Sequence, residues 1–299
     1  VLLAIGTFGL VWYAKGVNDN FLSPRSLENT WVQLLPVLLL VGPMAVIMLG
    51  GGLDLSIGAV IGLTSVLTAR VMSQGGSPDQ AFITAMSVAG GIGLLHALLI
   101  CVTAINPIVL TLLTTVLIHS GAMLWAAGET HILVGRELGF LKILHQSPIA
   151  AGVSLGLSLL LIQLAQIGGG AGGLPIPRQR WYRRVFFIGL PYVLSALAAG
   201  FVGCSMVGRM RVGILPGDPH AYALMVLIAA VIGGNCVARR FGTVIGAVWG
   251  AAILVVLQHV LILEAVSQAH TMLIIASTAG GALLLSQLLY WIINLIYRG

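Results

Sequence analysis

The residues best suited to chemistry sit in one short stretch, Gly50-Gly51-Gly52-Leu53-Asp54-Leu55-Ser56-Ile57-Gly58, between apolar runs 31–49 and 59–72 that hold no acidic residue and no lysine. A carboxylate at the centre of a bilayer costs about 2.5–3.5 kcal/mol on insertion scales, so Asp54 requires a backbone partner, a cation or a wet cavity. Three glycines end a helix readily, because they take left-handed backbone angles without a Cβ clash. Asp54 or Ser56 can then accept from the first N–H groups of the next helix. The stretch reads as helix, tight break, helix. Two placements follow from it. A break at membrane depth lines a translocation path, whereas a turn at an aqueous end leaves Asp54 solvated.

Other chemistry finds little footing. Lys15 and Lys142 are the only lysines, and neither follows a glycine-rich loop, so no P-loop is present. There is no H-E-x-x-H, no G-x-S-x-G, and no pair of carboxylates close in sequence within an apolar run. No catalytic residue and no metal site is assigned. Cys101, Cys204 and Cys236 are far apart and match no metal-ligand spacing, which reads as core thiols. His96, alone among apolar residues, reads as a hydrogen-bonded core histidine.

The elements that must hold Asp54 follow from composition. Of the 299 residues 59% are hydrophobic and only 7% charged, against about 25% charged in soluble domains, and the mean hydropathy is +1.07. This is an all-α, polytopic transmembrane helix bundle. A span needs about 20 apolar residues, and about ten such segments fit, leaving short loops and one transmembrane domain over 1–299. The first helix is expected to begin upstream of Val1. Many of the 39 glycines fall at small-xxx-small spacing, as at Gly242, Gly246 and Gly250, which lets helix backbones approach closely in lipid. The net charge of +6 lies in short interhelical loops, where it sets orientation and does not point to nucleic acid.

A second glycine break stands at Gly233-Gly234-Asn235. Residues 48–62 lie over 231–246 with one residue inserted, which suggests an internal repeat with halves 1–147 and 148–299. Leu174 to Arg184 carries Arg178, Arg180, Arg183 and Arg184 with no acid, and reads as a cytoplasmic loop. Arg239, Arg240 and Arg298 then share its side, while Glu28, Asp79, Glu129, Glu137, Asp218 and Glu264 lie opposite. The stretch 128–147, with Glu129, Arg136 and Glu137, is expected as a solvated loop or a docking surface. Residues 209–219 are expected as an outer loop.

Phe21-Leu-Ser-Pro-Arg-Ser-Leu-Glu-Asn29, Gly51-Gly-Leu-Asp-Leu-Ser-Ile-Gly58, Asn106-Pro-Ile-Val-Leu-Thr-Leu112, and Val231-Ile-Gly-Gly234 through Gly242-Thr-Val-Ile-Gly-Ala247 resemble the permease subunits of sugar-type ABC importers of bacterial inner membranes. The resemblance runs in order through most of the chain. It implies a multi-pass inner-membrane permease that passes a small polar solute, a sugar, by alternating access. Its implied partners are a second permease (homodimer or heterodimer), a periplasmic solute-binding protein, and a P-loop ATPase that binds the ATP and Mg. It also implies site roles. Asp54, Ser56, Gly52, Gly234 and Asn235 become path or gate elements. Arg178, Arg180, Arg183, Arg184, Arg239 and Arg240 become ATPase-coupling residues, and Glu129, Arg136, Glu137 and Asp218 binding-protein contacts. The chain departs from the family in its shortened segment 168–184 and in Cys236 to Phe241. The first departure suggests a heterodimer whose partner carries the fuller coupling segment. Two other readings stand beside this one: a proton- or cation-coupled secondary transporter using Asp54, Glu264 or a membrane histidine, and a non-transporting assembly subunit.

Overall fold

The computed structural model describes residues 2–103, 105–126, 128–135, 137–167, 185–238 and 240–298. In chain order the helices are α1 (Leu2–Val17), α2 (Pro24–Leu49), α3 (Ile57–Ser73), α4 (Pro78–Thr103), α5 (Pro107–Trp125), α6 (Leu141–Leu144), α7 (Pro148–Ile167), α8 (Leu190–Met210, after a π-helical turn at Val185–Gly189), α9 (Ala221–Ile232), α10 (Val244–Leu263) and α11 (Gln268–Arg298). Two short strands, β1 (His131–Leu133) and β2 (Val212–Ile214), pair antiparallel with Ile132 opposite Gly213. Among the described residues, six helices are long and apolar enough to cross a membrane.

α2 is the central post. Ser23 caps it by accepting from Ser26 N–H, with Pro24 at the first turn, where its missing N–H costs nothing. Two prolines interrupt its interior. Pro43 removes the donor that would reach the Leu39 carbonyl, and that carbonyl instead accepts from Ser154 Oγ of α7 at 2.6 Å. The carbonyl that Pro43 leaves free is thus satisfied by a neighbouring helix, as it must be where lipid keeps water out. Near it, Gly42 lets Leu155 and Ser158 of α7 lie against the α2 backbone.

A second group gathers on α8. Gly200 and Gly203 face Ala89 and Thr64, so that α3 and α4 both pack closely on α8. This is the small-residue packing that lipid favours, since apolar side chains gain nothing there by leaving lipid for one another.

At the end holding Ser73, Trp125 and Met210, called here the ribbon end, residues 129–147 do not form a solvated loop. Ile132, Val134, Leu138 and Leu141 are buried against Val66, Ala69 and Val207, and Gly208 fits under the Leu141 carbonyl. Alternate apolar residues on β1 and its flank are the reason, because one face of the ribbon covers the helix ends.

Segment 209–219 also departs from the expected loop. β2 turns back along α3, with Gly213 against Ala69 and Ser65, Gly62 against Pro216, and the Pro219 carbonyl on Gly58. Gly58 lies 15 residues from the Ser73 end of α3, about 22 Å at 1.5 Å per residue. α9 therefore begins deep in the bundle, and its 12 residues run only about 18 Å further.

Candidate functional site

The first glycine break is a Schellman cap. Gly51 takes φ +83° and donates to the Met48 carbonyl at 3.0 Å, while Gly52 N–H reaches back to Ile47 at 3.1 Å. The second break has the same pattern. Gly234 takes φ +85° and donates to Val231 at 2.9 Å, and Asn235 N–H reaches Ala230 at 3.0 Å. The sequence superposition placed Gly51 on Gly234, and both are the left-handed residue of their cap.

Beyond Gly51 the chain runs irregularly to α3, with Gly52, Asp54 and Ser56 buried. Its carbonyls are met by threonines one turn apart on α5: Thr111 Oγ1 donates to Leu53 at 3.1 Å and Thr115 Oγ1 to Leu55 at 2.9 Å. The Asp54 carboxylate is 0% exposed. Its Oδ1 accepts from Ser56 N–H at 3.0 Å and Ser56 Oγ at 2.6 Å, and its Oδ2 accepts from Ser195 Oγ of α8 at 2.6 Å. Both oxygens are taken, as burial of a carboxylate demands. Ser195 lies 10 residues above the Val185 start of that helical run and 15 below Met210, about 15 and 22 Å from its ends. The break therefore lies inside the helical layer. The alternative of a solvated Asp54 at an aqueous turn is overturned.

Gly52 is required by close approach, since a Cβ there would overlap the Tyr192 hydroxyl and sit 3.2 Å from Pro107. His96 of α4 is fully buried and clamps α5 through Nε2 and Thr114 Oγ1 at 2.8 Å. The break is thus held by α4, α5 and α8. Sequence reading missed Ser195, Thr111, Thr115 and Tyr192, whose only signal was a hydroxyl within an apolar helix.

Asn235 is likewise buried, its amide donating to the Ala230 and Thr243 carbonyls at 3.0 and 3.3 Å. It anchors a hairpin in which Cys236 pairs with Phe241. At the turn Arg240 takes φ +50° and lays its guanidinium on the first break, with Nε 2.9 Å from where a Gly51 Cβ would stand. This is the C-terminal end of α2, where the helix dipole favours a cation. Arg240 and Gly51 thereby join the two breaks.

The remaining candidates are scattered. Glu129 forms an exposed ion pair with Arg70 at 3.3 Å, and Glu137 is exposed nearby in sequence on the ribbon. Asp218 lies apart from them, at the deep start of α9. Arg136, Arg178, Arg180, Arg183, Arg184 and Arg239 lie outside the described residues. Glu28, Asp79 and Glu264 fall at the ribbon end and Arg240 at the other, the partition expected from the sequence.

Apolar helices broken inside the bundle, with the Asp54 carboxylate and the Leu39, Leu53 and Leu55 carbonyls met by hydroxyls of neighbouring helices, define a polytopic membrane protein built for transport. No family model and no solved structure matches the chain. Among curated proteins, the ribose import permease protein RbsC of Bacillus subtilis is 24% identical over 288 residues, covering 90% of this chain and 87% of that one. The autoinducer 2 import system permease protein LsrD of Klebsiella pneumoniae is 31% identical over 239 residues, covering 73% and 70%. The galactofuranose transporter permease protein YtfT of Escherichia coli is 29% identical over 229 residues, covering 73% and 67%. The chain belongs to the family of permease subunits of sugar-type ABC importers. The secondary-transporter and assembly-subunit readings find no support among these relatives.

Proposed function

We propose that this permease passes a small neutral sugar across a bacterial inner membrane by alternating access, with the two glycine breaks as its hinges. The observation that carries this reading is the shared geometry of the breaks. The same cap, with the same left-handed glycine, recurs at 51 and 234, and Arg240 of one hairpin rests on the other break. Two like hinges in contact favour a duplicated scaffold, with halves near 1–147 and 148–299, that rocks about a shared joint. About ten spans fit this scheme when α1, α3, α7 and the half-helix α9 are counted with the six long helices.

In this reading Asp54 and Ser56 fix the first hinge to α8 and do not touch solute. Gly52, Gly234 and Asn235 set the shape of the gate. The energy comes from a separate P-loop ATPase subunit, which binds ATP and Mg, and the solute from a periplasmic binding protein. Arg239 and Arg240, with the arginines of 178–184, face the ATPase, and Glu129, Arg136 and Glu137 face the binding protein. The permease acts as a dimer, with a second copy or a related permease.

The experiment is purification from native membranes in mild detergent with mass spectrometry of what co-purifies. Reconstitution and uptake of D-ribose, D-galactose and D-galactofuranose follow, with and without ATP. A co-purifying ATPase and ATP-dependent uptake of one sugar are expected. Uptake driven by an ion gradient without ATPase refutes the reading.

A further inference from the structure

Segment 212–219 lies as an extended strap along α3. The face of α3 that receives it is made of Gly58, Gly62, Ser65 and Ala69, small residues that follow the helical repeat and leave a groove one chain wide. Gly213 lies against Ala69, Ile214 N–H donates to Ser65 Oγ at 3.0 Å, Leu215 and Pro216 fill the space over Gly62, and the Pro219 carbonyl ends on Gly58. Ala69 and Gly58 are 11 residues apart, about 16 Å of helix. The six steps from Gly213 to Pro219 span about 20 Å at full extension. The strap therefore has little slack.

Both of its ends are tied. At the ribbon end β2 pairs with β1, Leu215 N–H donates to the Thr130 carbonyl at 3.0 Å, and Val134 N–H donates to the Arg211 carbonyl at 2.9 Å. β1 is held down by Ile132, buried with Val66 and Ala69, and Glu129 beside it pairs with Arg70 of α3 at 3.3 Å. At the deep end Gly58 stands two residues beyond Ser56, whose N–H and hydroxyl both donate to Asp54 Oδ1 at the first break. The chain passes straight on from Pro219 into α9, where Asp218 Oδ1 accepts from His220 N–H at 2.8 Å. α9 ends in the Gly234 cap of the second break. It is firmly seated there, since Gly233 touches Gly246 of α10 and Gly250 touches the Ala229 carbonyl.

One short segment thus joins the ribbon to both breaks. We infer that 212–219 is a coupling strap: a displacement of the ribbon moves α3 and α9 together, so that the two breaks respond as a pair to a protein docked on the ribbon. Close packing passes on a displacement that a solvated loop would absorb. The first break lies about 22 Å along α3 from its ribbon end, out of reach of a docked protein, and the strap spans that distance. The docked partner is the binding protein of the importer reading, on which this inference rests.

The test is amide hydrogen exchange, read by mass spectrometry on the full chain in mixed micelles. Ile132→Ala leaves a cavity under the ribbon, and exchange in peptides covering 50–56 and 233–236 should rise about fivefold over wild type. Leu133→Ala, on the exposed face of the same strand, should change neither. Two glycines inserted between Gly217 and Asp218, both exposed, should preserve the Ile132→Ala rise at the first break and abolish it at the second. No rise at either break, or a rise at the second that survives the insertion, overturns the inference. An equal rise in α1 and α5 marks general loosening and overturns it too. Should Ile132→Ala not fold, Ser65→Ala, which removes only the acceptor of Ile214 N–H, is read in the same way with a rise of about twofold. In the assembled transporter in proteoliposomes, the insertion should cut ATP-dependent uptake of the sugar that the wild type takes up about tenfold. Full uptake beside the expected exchange pattern refutes the breaks as hinges and leaves the strap standing. If the wild type takes up no sugar, the importer reading fails on its own account, and the exchange pattern still decides the strap.

Discussion

Replacing Ser195 with alanine isolates the contact that ties the first break to α8. Ser195 Oγ lies 2.6 Å from Asp54 Oδ2, a carboxylate with no exposed surface. That length falls in the range of about 2.5–2.7 Å seen when a hydroxyl donates to a carboxylate. Hydrogen bonds to charged groups contribute about 1.5–3 kcal/mol, whereas polar contacts between membrane helices average about 0.6 kcal/mol. The two expectations are far enough apart to decide between them. Ser195→Ala should cost about 2 kcal/mol, because Oδ2 loses its donor while water stays excluded. The assay is reversible unfolding of the purified permease in mixed micelles, for wild type, Ser195→Ala, Asp54→Asn and the double variant. The coupling term of that cycle removes whatever each change does alone. Coupling of 0.6 kcal/mol or less would refute the argument that Asp54 anchors the hinge.

Three further outcomes are expected. Thr111→Val with Thr115→Val takes the α5 donors from the half-buried Leu53 and Leu55 segment, so the pair should destabilise by about 1–3 kcal/mol in the same unfolding assay. Gly58→Ala places a Cβ into the Pro219 carbonyl, pushing the α9 start off α3; purified protein should melt lower, with Gly91→Ala, which has open space, as the neutral control. Burial above all, and then the Arg209 charge, holds the His145 imidazole below its ordinary 6.5, against smaller opposing effects from the Lys142 backbone and Glu28. Between the lowered folded value and 6.5 the unfolded chain binds the proton and the folded chain does not, so stability should fall as pH drops through about 6.5. A His145→Gln variant should melt with less pH dependence over that window.

The sequence by itself determined the class of the protein, the two breaks and the caps that form them. Low charge and high hydropathy leave only a membrane bundle, and Gly51 and Gly234 are where a left-handed cap costs least. Those are local properties, set by backbone sterics and by the transfer of side chains into lipid. Tertiary structure decided what surrounds them. Ser195 is 141 residues from Asp54, and Thr111 and Thr115 are 58 and 60 residues from the carbonyls they serve. In an apolar helix such hydroxyls bond their own preceding turn equally well, as Thr111 also does with Pro107, so no pattern marks the ones that reach across. The polar segments at the ribbon end read as loops because their hydrophobic alternation is short. Only the pairing of β1 with β2 shows that one folds over the helix ends and the other descends along α3. That descent follows from the small residues Ala69, Ser65, Gly62 and Gly58, a groove that exists only once α3 is packed. It carries Asp218 from the ribbon end expected of a loop residue to the start of α9, beside the Gly58 end of α3.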